Sequence, residues 1–219
     1  NWATHLHRLG IYNYTIYALD DEIHDFLIKK SVNVDRIDLN NVFNKNGENP
    51  YKNKYKWNLR LEFIFNLLKD NHNVLHSDLD AVWLKSPLEF ISDYDIVSST
   101  GILPKSISNK FGWSLCMGWI YFKSTPPVKC IFEEIFKKNI KTFDDQRVFN
   151  EELFSQQIDN IKELGRVKAE VITKNIRILI LKNKIISRKT NKDAYVNHPL
   201  SPLDVDIEEF LKKSDLWMY

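Results

Sequence analysis

The chain has 219 residues, 43% of them hydrophobic; at ~150 residues per domain that bounds it at one to two domains, and a single domain over 1–219 is the simpler reading. A chain of this size buries roughly 70% of its unfolded surface, which excludes a disordered tail, a collagen-like chain and a small disulfide scaffold. A formal net charge of +2 argues against nucleic acid or an anionic membrane as the main partner, no apolar run approaches the ~20 residues of a membrane span, and Cys116 and Cys130 read as free thiols of a reducing, cytoplasmic compartment, one bridge between them being the alternative.

Trp2, Leu6 and Leu9, with Gly10 as a stop, predict a helix over residues 1–9. Tyr12 to Leu19 predicts a strand. Asp20 then caps a helix that buries Ile23, Phe26 and Leu27 and ends on Lys29 and Lys30. Val34 to Leu39 predicts a second strand and Asn40 to Pro50 a polar loop. Trp57, Leu61, Ile64 and Leu68 repeat at helical spacing, and Val74-Leu75-His76 reads as a short strand. A strand at Ile96 to Ser98 precedes an irregular stretch holding Gly101, Pro104 and Gly112. Leu115 to Phe122 predicts a buried strand, and Pro126-Pro127 opens a helix burying Val128, Ile131, Phe132 and Ile135. Asp144 or Asp145 begins another helix, with Val148 and Phe149 inward. Ile176 to Leu181 and Ile185 to Ser187 predict a hairpin, and Asp206 to Leu216 a closing helix. The alternation of strands and helices predicts an α/β sheet, mixed in direction, with helices on both faces. Sites in such folds lie beyond the carboxyl ends of strands.

No G-x-G-x-x-G, P-loop or nucleophile elbow is present, and His72 and His76 lack the adjacent glutamate of a zinc protease. Asp-x-Asp occurs at Asp78/Asp80, Asp93/Asp95 and Asp204/Asp206. The second precedes a strand and the third precedes a helix, where carboxylates cap amides. Asp78-Leu79-Asp80 alone directly follows a strand. In an extended segment the side chains at i and i+2 share a face, so this pair makes a partial shell for a hard divalent cation and leaves positions open for phosphate oxygens.

The segment Val74-Leu75-His76-Ser77-Asp78-Leu79-Asp80-Ala81-Val82-Trp83-Leu84-Lys85-Ser86-Pro87 resembles the signature of the nucleotide-diphospho-sugar transferase family, which includes plant cell-wall xylosyl- and arabinosyltransferases. Similar domains occur in capsid-glycosylating transferases of large algal viruses. The resemblance continues at Gly118-Trp119-Ile120-Tyr121-Phe122 and at Asp145-Gln146-Arg147-Val148-Phe149-Asn150, and Asn1 to Asp20 looks like the family's first helix and second strand. It implies a Rossmann-like GT-A α/β/α sandwich with a mixed, mostly parallel sheet. It also implies a first strand upstream of residue 1, so the chain is expected to be a fragment of a longer one, or to bind its nucleotide differently. If an upstream anchor belongs to it, the expected compartment becomes the Golgi lumen.

The implied activity is transfer of a sugar, with retention, from a nucleotide-diphosphate sugar (a UDP-sugar) to a glycan or glycoprotein acceptor, helped by Mn²⁺ (or Mg²⁺). Asp78, Asp80 and, late in the chain, His198 are the implied metal ligands. Asp20, Lys56, Arg60, Ser77, Asp78, Leu79, Gly118 and Asp145 are the implied donor-binding residues. Asp145 and Gln146 are placed at the anomeric carbon, as a nucleophile or in support of same-face return without a covalent intermediate. Trp113 is a candidate to stack on a sugar ring, whereas Trp2, Trp57 and Trp217 are read as core. Two alternatives remain at this level. Asp78-Leu79-Asp80-Ala81-Val82 also resembles the loop of haloacid-dehalogenase-type phosphatases, with Asp78 as nucleophile; and the domain could bind sugar without catalysis.

Overall fold

The computed structural model describes residues 1–37, 56–91, 93–138, 144–154, 158–165, 168–199 and 206–218. The loop expected at Asn40–Pro50, the end of the strand expected to reach Leu39, and Asp204 lie outside these residues. In chain order the elements are α1 (Trp2–Arg8), β1 (Ile16–Ala18), α2 (Asp21–Lys29), β2 (Val34–Arg36), α3 (Lys56–Lys69), β3 (Val74–Ser77), β4 (Val82–Trp83), β5 (Ile96–Gly101), α4 (Lys105–Phe111), β6 (Ser114–Phe122), α5 (Pro126–Lys137), α6 (Asp145–Phe154), β7 (Asn160–Leu164), β8 (Lys168–Thr173), β9 (Ile176–Leu181), β10 (Ile186–Ser187), β11 (Val196–Asn197) and α7 (Ile207–Lys213).

The central sheet has six strands in the order β3-β6-β5-β9-β8-β7. It is mixed, as expected, but only β5 and β9 run parallel; the other four ladders are antiparallel. The expectation of a mostly parallel sheet is corrected on this point. The cause is local: β7, β8 and β9 form an antiparallel meander, and β6 lies antiparallel between β3 and β5. The hairpin expected between Ile176–Leu181 and Ile185–Ser187 does not form either. β9 instead pairs with β8, while Ile186–Ser187 joins β11 and β4 in a separate three-stranded sheet.

Two apolar clusters cover the two faces of the central sheet. On one face α3, α5 and α6 bury Leu61, Ile64, Leu68, Phe132, Ile135 and Phe149 against Ile96, Ile120, Phe122 and Ile178. The buried residues of α5 are Val128, Ile131, Phe132 and Ile135, the face read from its spacing. On the other face α1 and the three-stranded sheet set Leu6, Trp83, Ile186 and Val196 against Val97, Trp119, Tyr121 and Leu179. The helices-on-both-faces expectation is thus met by a helix and a small sheet on this side. Gly10 leaves α1 with φ 72°, a left-handed geometry open to glycine, which explains its place as the helix stop.

Asp20 caps α2, accepting from the Ile23 N–H at 2.8 Å. The apolar face of α2 is not buried as expected: Ile23 and Phe26 are 49% and 57% exposed, and Leu27 is only part-buried. The two three-residue strands β1 and β2 beside it are too narrow to cover that face. The irregular stretch after β5 contains α4, closed by Gly112 at φ 77°. Trp113 lies in the core, stacked on Phe111 and edge-on to Phe154, and is unavailable to a sugar. Asp95 accepts from the Arg177 N–H at 2.9 Å, a stitch across strand ends, and Asp206 caps α7. Cys116 and Cys130 are free, as read from sequence. Among the described residues no helix is long and apolar enough to cross a membrane.

Candidate active site

β3 ends at Ser77, and the Asp78 N–H still donates to the Gly118 carbonyl at 2.8 Å, so the first carboxylate is held by the edge of the sheet. A turn follows, in which the Ala81 N–H donates to the Asp78 carbonyl, and it carries Asp80 into β4. β4 pairs with β11, with Val82 opposite Asn197. That pairing brings His198, the residue after β11, beside Asp80. One ligand atom from each of Asp78, Asp80 and His198 falls within 4.8 Å of the others. His198 Nε2 lies 3.3 Å from Asp80 Oδ1 and 3.6 Å from Asp78 Oδ2.

The space for this cluster depends on an irregularity in β6. The β5–β6 register jumps from Ser98 opposite Ile120 to Ser99 opposite Cys116, leaving Met117–Trp119 as a bulge. Gly118 lies in that bulge. A Cβ there would stand 2.0 Å from His198 Cε1 and 2.5 Å from Asp78 Oδ2, so the cluster closes over a position where no side chain fits. α6 stitches the bulge from the helical side. Asn150 Oδ1 accepts from the Leu115 N–H at 2.8 Å and its Nδ2 donates to the Leu115 carbonyl at 2.9 Å. One turn earlier Gln146 Oε1 accepts from the Met117 N–H at 3.1 Å, while its Nε2 donates to the Leu103 carbonyl at 2.8 Å.

Arg60, on α3, ties the two acidic groups together. Its Nε and Nη2 donate to Asp145 at 2.6 and 2.8 Å, a two-pronged pair, and its Nη1 donates to Asp78 Oδ1 at 3.0 Å. Trp57 lies under the guanidinium at 4.6 Å. His76 also donates to Asp78 Oδ1, at 2.9 Å. Burial would raise the Asp78 pKa, but the hydrogen bond from His76 and the charge of Arg60 outweigh it and hold the carboxyl well below the usual carboxylate range. Burial lowers the His198 pKa, yet Asp80 and Cys116 more than offset that and push it up to about 9 when no cation lies between them. Burial raises the Cys116 thiol, and His198 and Arg188 bring it down to about 7.

A cleft of about 440 Å³ leads to Asp78, walled by Tyr17, Trp57, Arg60, Phe63, His76 and Leu79 among others. It is largely apolar except at the Asp78 end. Trp2 and Trp57 line it, so their reading as plain core is corrected.

Of the expected site residues, the structure brings together Asp78, Asp80 and His198, with Gly118 beneath them and Arg60 and Asp145 alongside. Leu79 is exposed at the cleft mouth. Ser77 lines the cleft, but its hydroxyl oxygen already accepts from the indoles of Trp2 and Trp83, at 3.3 and 3.1 Å. Asp20 is the cap of α2. Lys56 opens α3, but its side chain lies outside the described residues. Sequence reading weighed His76 only as a zinc ligand, took Trp57 for core and passed over Arg188. His76 carried a signal, two residues before Asp78 in an extended segment and hence on the same face.

This geometry can be set beside known proteins. The family model described as nucleotide-diphospho-sugar transferase matches residues 9–201. The chain is 28% identical to arabinosyltransferase RRA2 of Arabidopsis thaliana over 171 residues, 67% of this chain and 39% of that protein. It is 31% identical to beta-arabinofuranosyltransferase RAY1 of the same plant over 99 residues, 43% of this chain and 18% of that protein. The chain therefore spans well under half the length of these curated relatives. No solved structure matches the chain at a comparable level.

Proposed function

The chain belongs to the nucleotide-diphospho-sugar transferase family, and on that premise we propose that it moves a sugar from a UDP-sugar to a glycan or glycoprotein acceptor, with retention and with the help of Mn²⁺ (or Mg²⁺). The phosphatase alternative falls with the family assignment. The observation that carries the metal reading is the convergence of Asp78, Asp80 and His198 over Gly118. Two carboxylates suit a hard cation, and the imidazole favours Mn²⁺ over Mg²⁺. A divalent ion bound there supplies Lewis-acid stabilisation to a departing diphosphate. The apolar cleft ending at Asp78 suits the nucleoside, with its phosphates toward the carboxylates.

Asp145 is 3% exposed, and both its oxygens are held by Arg60. The Gln146 amide is spent at both ends on backbone. Neither side chain is free to attack an anomeric carbon. This supports same-face return, with Asp145 as a fixed negative charge that steadies an oxocarbenium-like centre. The arabinosyl character of the named relatives makes a pentose donor the first to try.

Thermal-shift measurements over a panel of nucleotide sugars, with and without Mn²⁺, test the reading. A UDP-sugar that raises the melting temperature only with the metal is the expected result, and Asp80→Asn should abolish that shift while leaving the chain folded. Calorimetric UDP affinity that survives Asp80→Asn would count against the site. Tight binding without turnover on any acceptor would favour the non-catalytic sugar-binding alternative.

A further inference from the structure

His76 stands beside the ligand set without belonging to it. Side chains alternate along β3: Val74 joins the core under the helices and Leu75 packs against the opposite one. His76 and Asp78 therefore project to the helical layer, where α3 presents Arg60. The bond from the Asp78 N–H to Gly118 fixes the backbone of Asp78 but not its carboxylate. The last torsion of an aspartate is broad, so its two oxygens lie where their partners hold them. His76 Nε2 and Arg60 Nη1 reach the same oxygen, Oδ1, at 2.9 and 3.0 Å, and stand 3.4 Å apart because both converge on it.

Two arguments give this convergence a purpose. The first is the division of the carboxylate. An ionised carboxylate has about two acceptor sites on each oxygen. On Oδ1 the two donors fill them. Oδ2 accepts no hydrogen bond among the described residues and faces the space over Gly118, 3.6 Å from His198 Nε2. The second is the sharing of Arg60. Asp145 takes its Nε and Nη2, which leaves Nη1 as the one contact to Asp78, and a carboxylate can turn about a single contact. His76 supplies the second point, from the strand itself. The contact needs only a hydrogen on Nε2, which a neutral imidazole can carry, so no charge on the ring is called for.

We propose that His76 is a positioning residue: with Arg60 it holds Asp78 Oδ1 away from the cation and turns Oδ2 toward it, so that Asp78 binds the metal through one oxygen. His76 acts through Asp78, as a partner behind a ligand does. The inference rests on the metal-dependent reading above.

Titration calorimetry with Mn²⁺ on the 219-residue chain tests it, beside melting curves in EDTA that show each variant to be folded. His76→Leu removes the N–H and keeps much of the bulk, and its Mn²⁺ affinity should fall by about ten- to a hundredfold, the scale for losing the partner behind a metal ligand. His76→Gln sets an uncharged amide N–H at a similar reach and should bind Mn²⁺ within about fivefold of the parent. His76→Ala replaces the leucine variant if that one does not fold. Mn²⁺ affinity within about threefold of the parent in His76→Leu would overturn the proposal. So would a glutamine variant as weak as the leucine one, since that pattern belongs to packing and not to the N–H. A parent chain that binds no Mn²⁺, or Asp80→Asn that binds it as the parent does, would bring down the metal reading and this inference together. Loss in Asp80→Asn with none in His76→Leu would bring down this inference alone.

Discussion

Gly118→Ala puts the geometry of the ligand cluster to the test with a single methyl group. Its Cβ would stand 2.0 Å from His198 Cε1, 2.8 Å from His198 Nε2 and 2.5 Å from Asp78 Oδ2. Non-bonded carbon contacts settle at about 3.5–4 Å, so the imidazole must retreat by at least about 1.5 Å. It has little room: His198 is 5% exposed, its N–H is bonded to Ser187, and Arg188 and Cys116 stand behind Nδ1. Gly118 is not among the residues at positive φ, so backbone strain plays no part. Ligand distances at a metal are held within about 0.2 Å, so a shift of this size takes the imidazole out of reach. Disturbing a partner behind a ligand already costs about 10–100-fold in metal affinity; displacing the ligand itself should cost at least about a hundredfold on the same scale. The fold should lose only the ~1–3 kcal/mol of an overpacked core position. Titration calorimetry with Mn²⁺, paired with melting curves in EDTA and in Mn²⁺, separates the two effects. A metal-dependent rise in the parent and none in Gly118→Ala is the expected outcome. If Gly118→Ala folds and binds Mn²⁺ within about threefold of the parent, the placement of His198 over Gly118 is wrong.

Asn150→Ala should remove both side-chain bonds to Leu115 and leave a buried N–H and carbonyl bare, at ~1–3 kcal/mol each. At ~2–4 °C per kcal/mol for a chain of this size, the melting temperature should drop by roughly 4–24 °C, and a drop below about 2 °C would remove the stitching role. Mn²⁺ affinity should depend on pH through His198. With the imidazole pKa raised to about 9 in the metal-free chain, the ion competes with a proton. Affinity should rise about tenfold per pH unit between pH 7 and 8 and level off above pH 9. A raised folded pKa also means that the contribution of protonated His198 to metal-free stability is complete below the ordinary imidazole value of 6.5 and is lost as pH climbs through about 9. Calorimetry across that range would contradict the assignment if the affinity were flat.

The Asp78/Asp80 pair was legible because two carboxylates directly after a strand have few structural uses, and the structure brings one oxygen of each within reach of His198. α5 was equally legible, with two prolines at its start and four apolar residues at helical spacing. β8 carried a readable signal that was passed over: Ala169, Val171 and Thr173 are buried in strict alternation. β7 carried almost none, since all but the last of its residues are exposed. The small sheet was hidden for another reason. Its strands are two residues long, below the length at which any period can be read, and it exists through pairings between distant segments. His198 was reached by resemblance, and Arg188 had no local pattern at all, because its place beside His198 is set by the register of that sheet. The exposed face of α2 reads as core from its sequence, since apolar spacing records what a helix can bury and says nothing of the width of what lies beneath it.

The bulge in β6 links core and site through a change of parity. Leu115 and Met117 face the helical layer, whereas Trp119 and Tyr121 face the opposite one. In an uninterrupted strand all four odd positions would share a face. The register jump resets the alternation, so a run of nine residues is buried throughout and serves both cores. The jump also forfeits ladder bonds, which the amides of Gln146 and Asn150 replace at helical spacing from α6. Asp145 and Gln146 therefore divide two tasks within one dipeptide. Asp145 holds Arg60, and through it the charge around Asp78; Gln146 holds the backbone of Met117, and through it the position of Gly118. A change at the first acts on the electrostatics of the site and a change at the second on its shape, although the two residues are adjacent in sequence and would be assigned a single role on spacing alone.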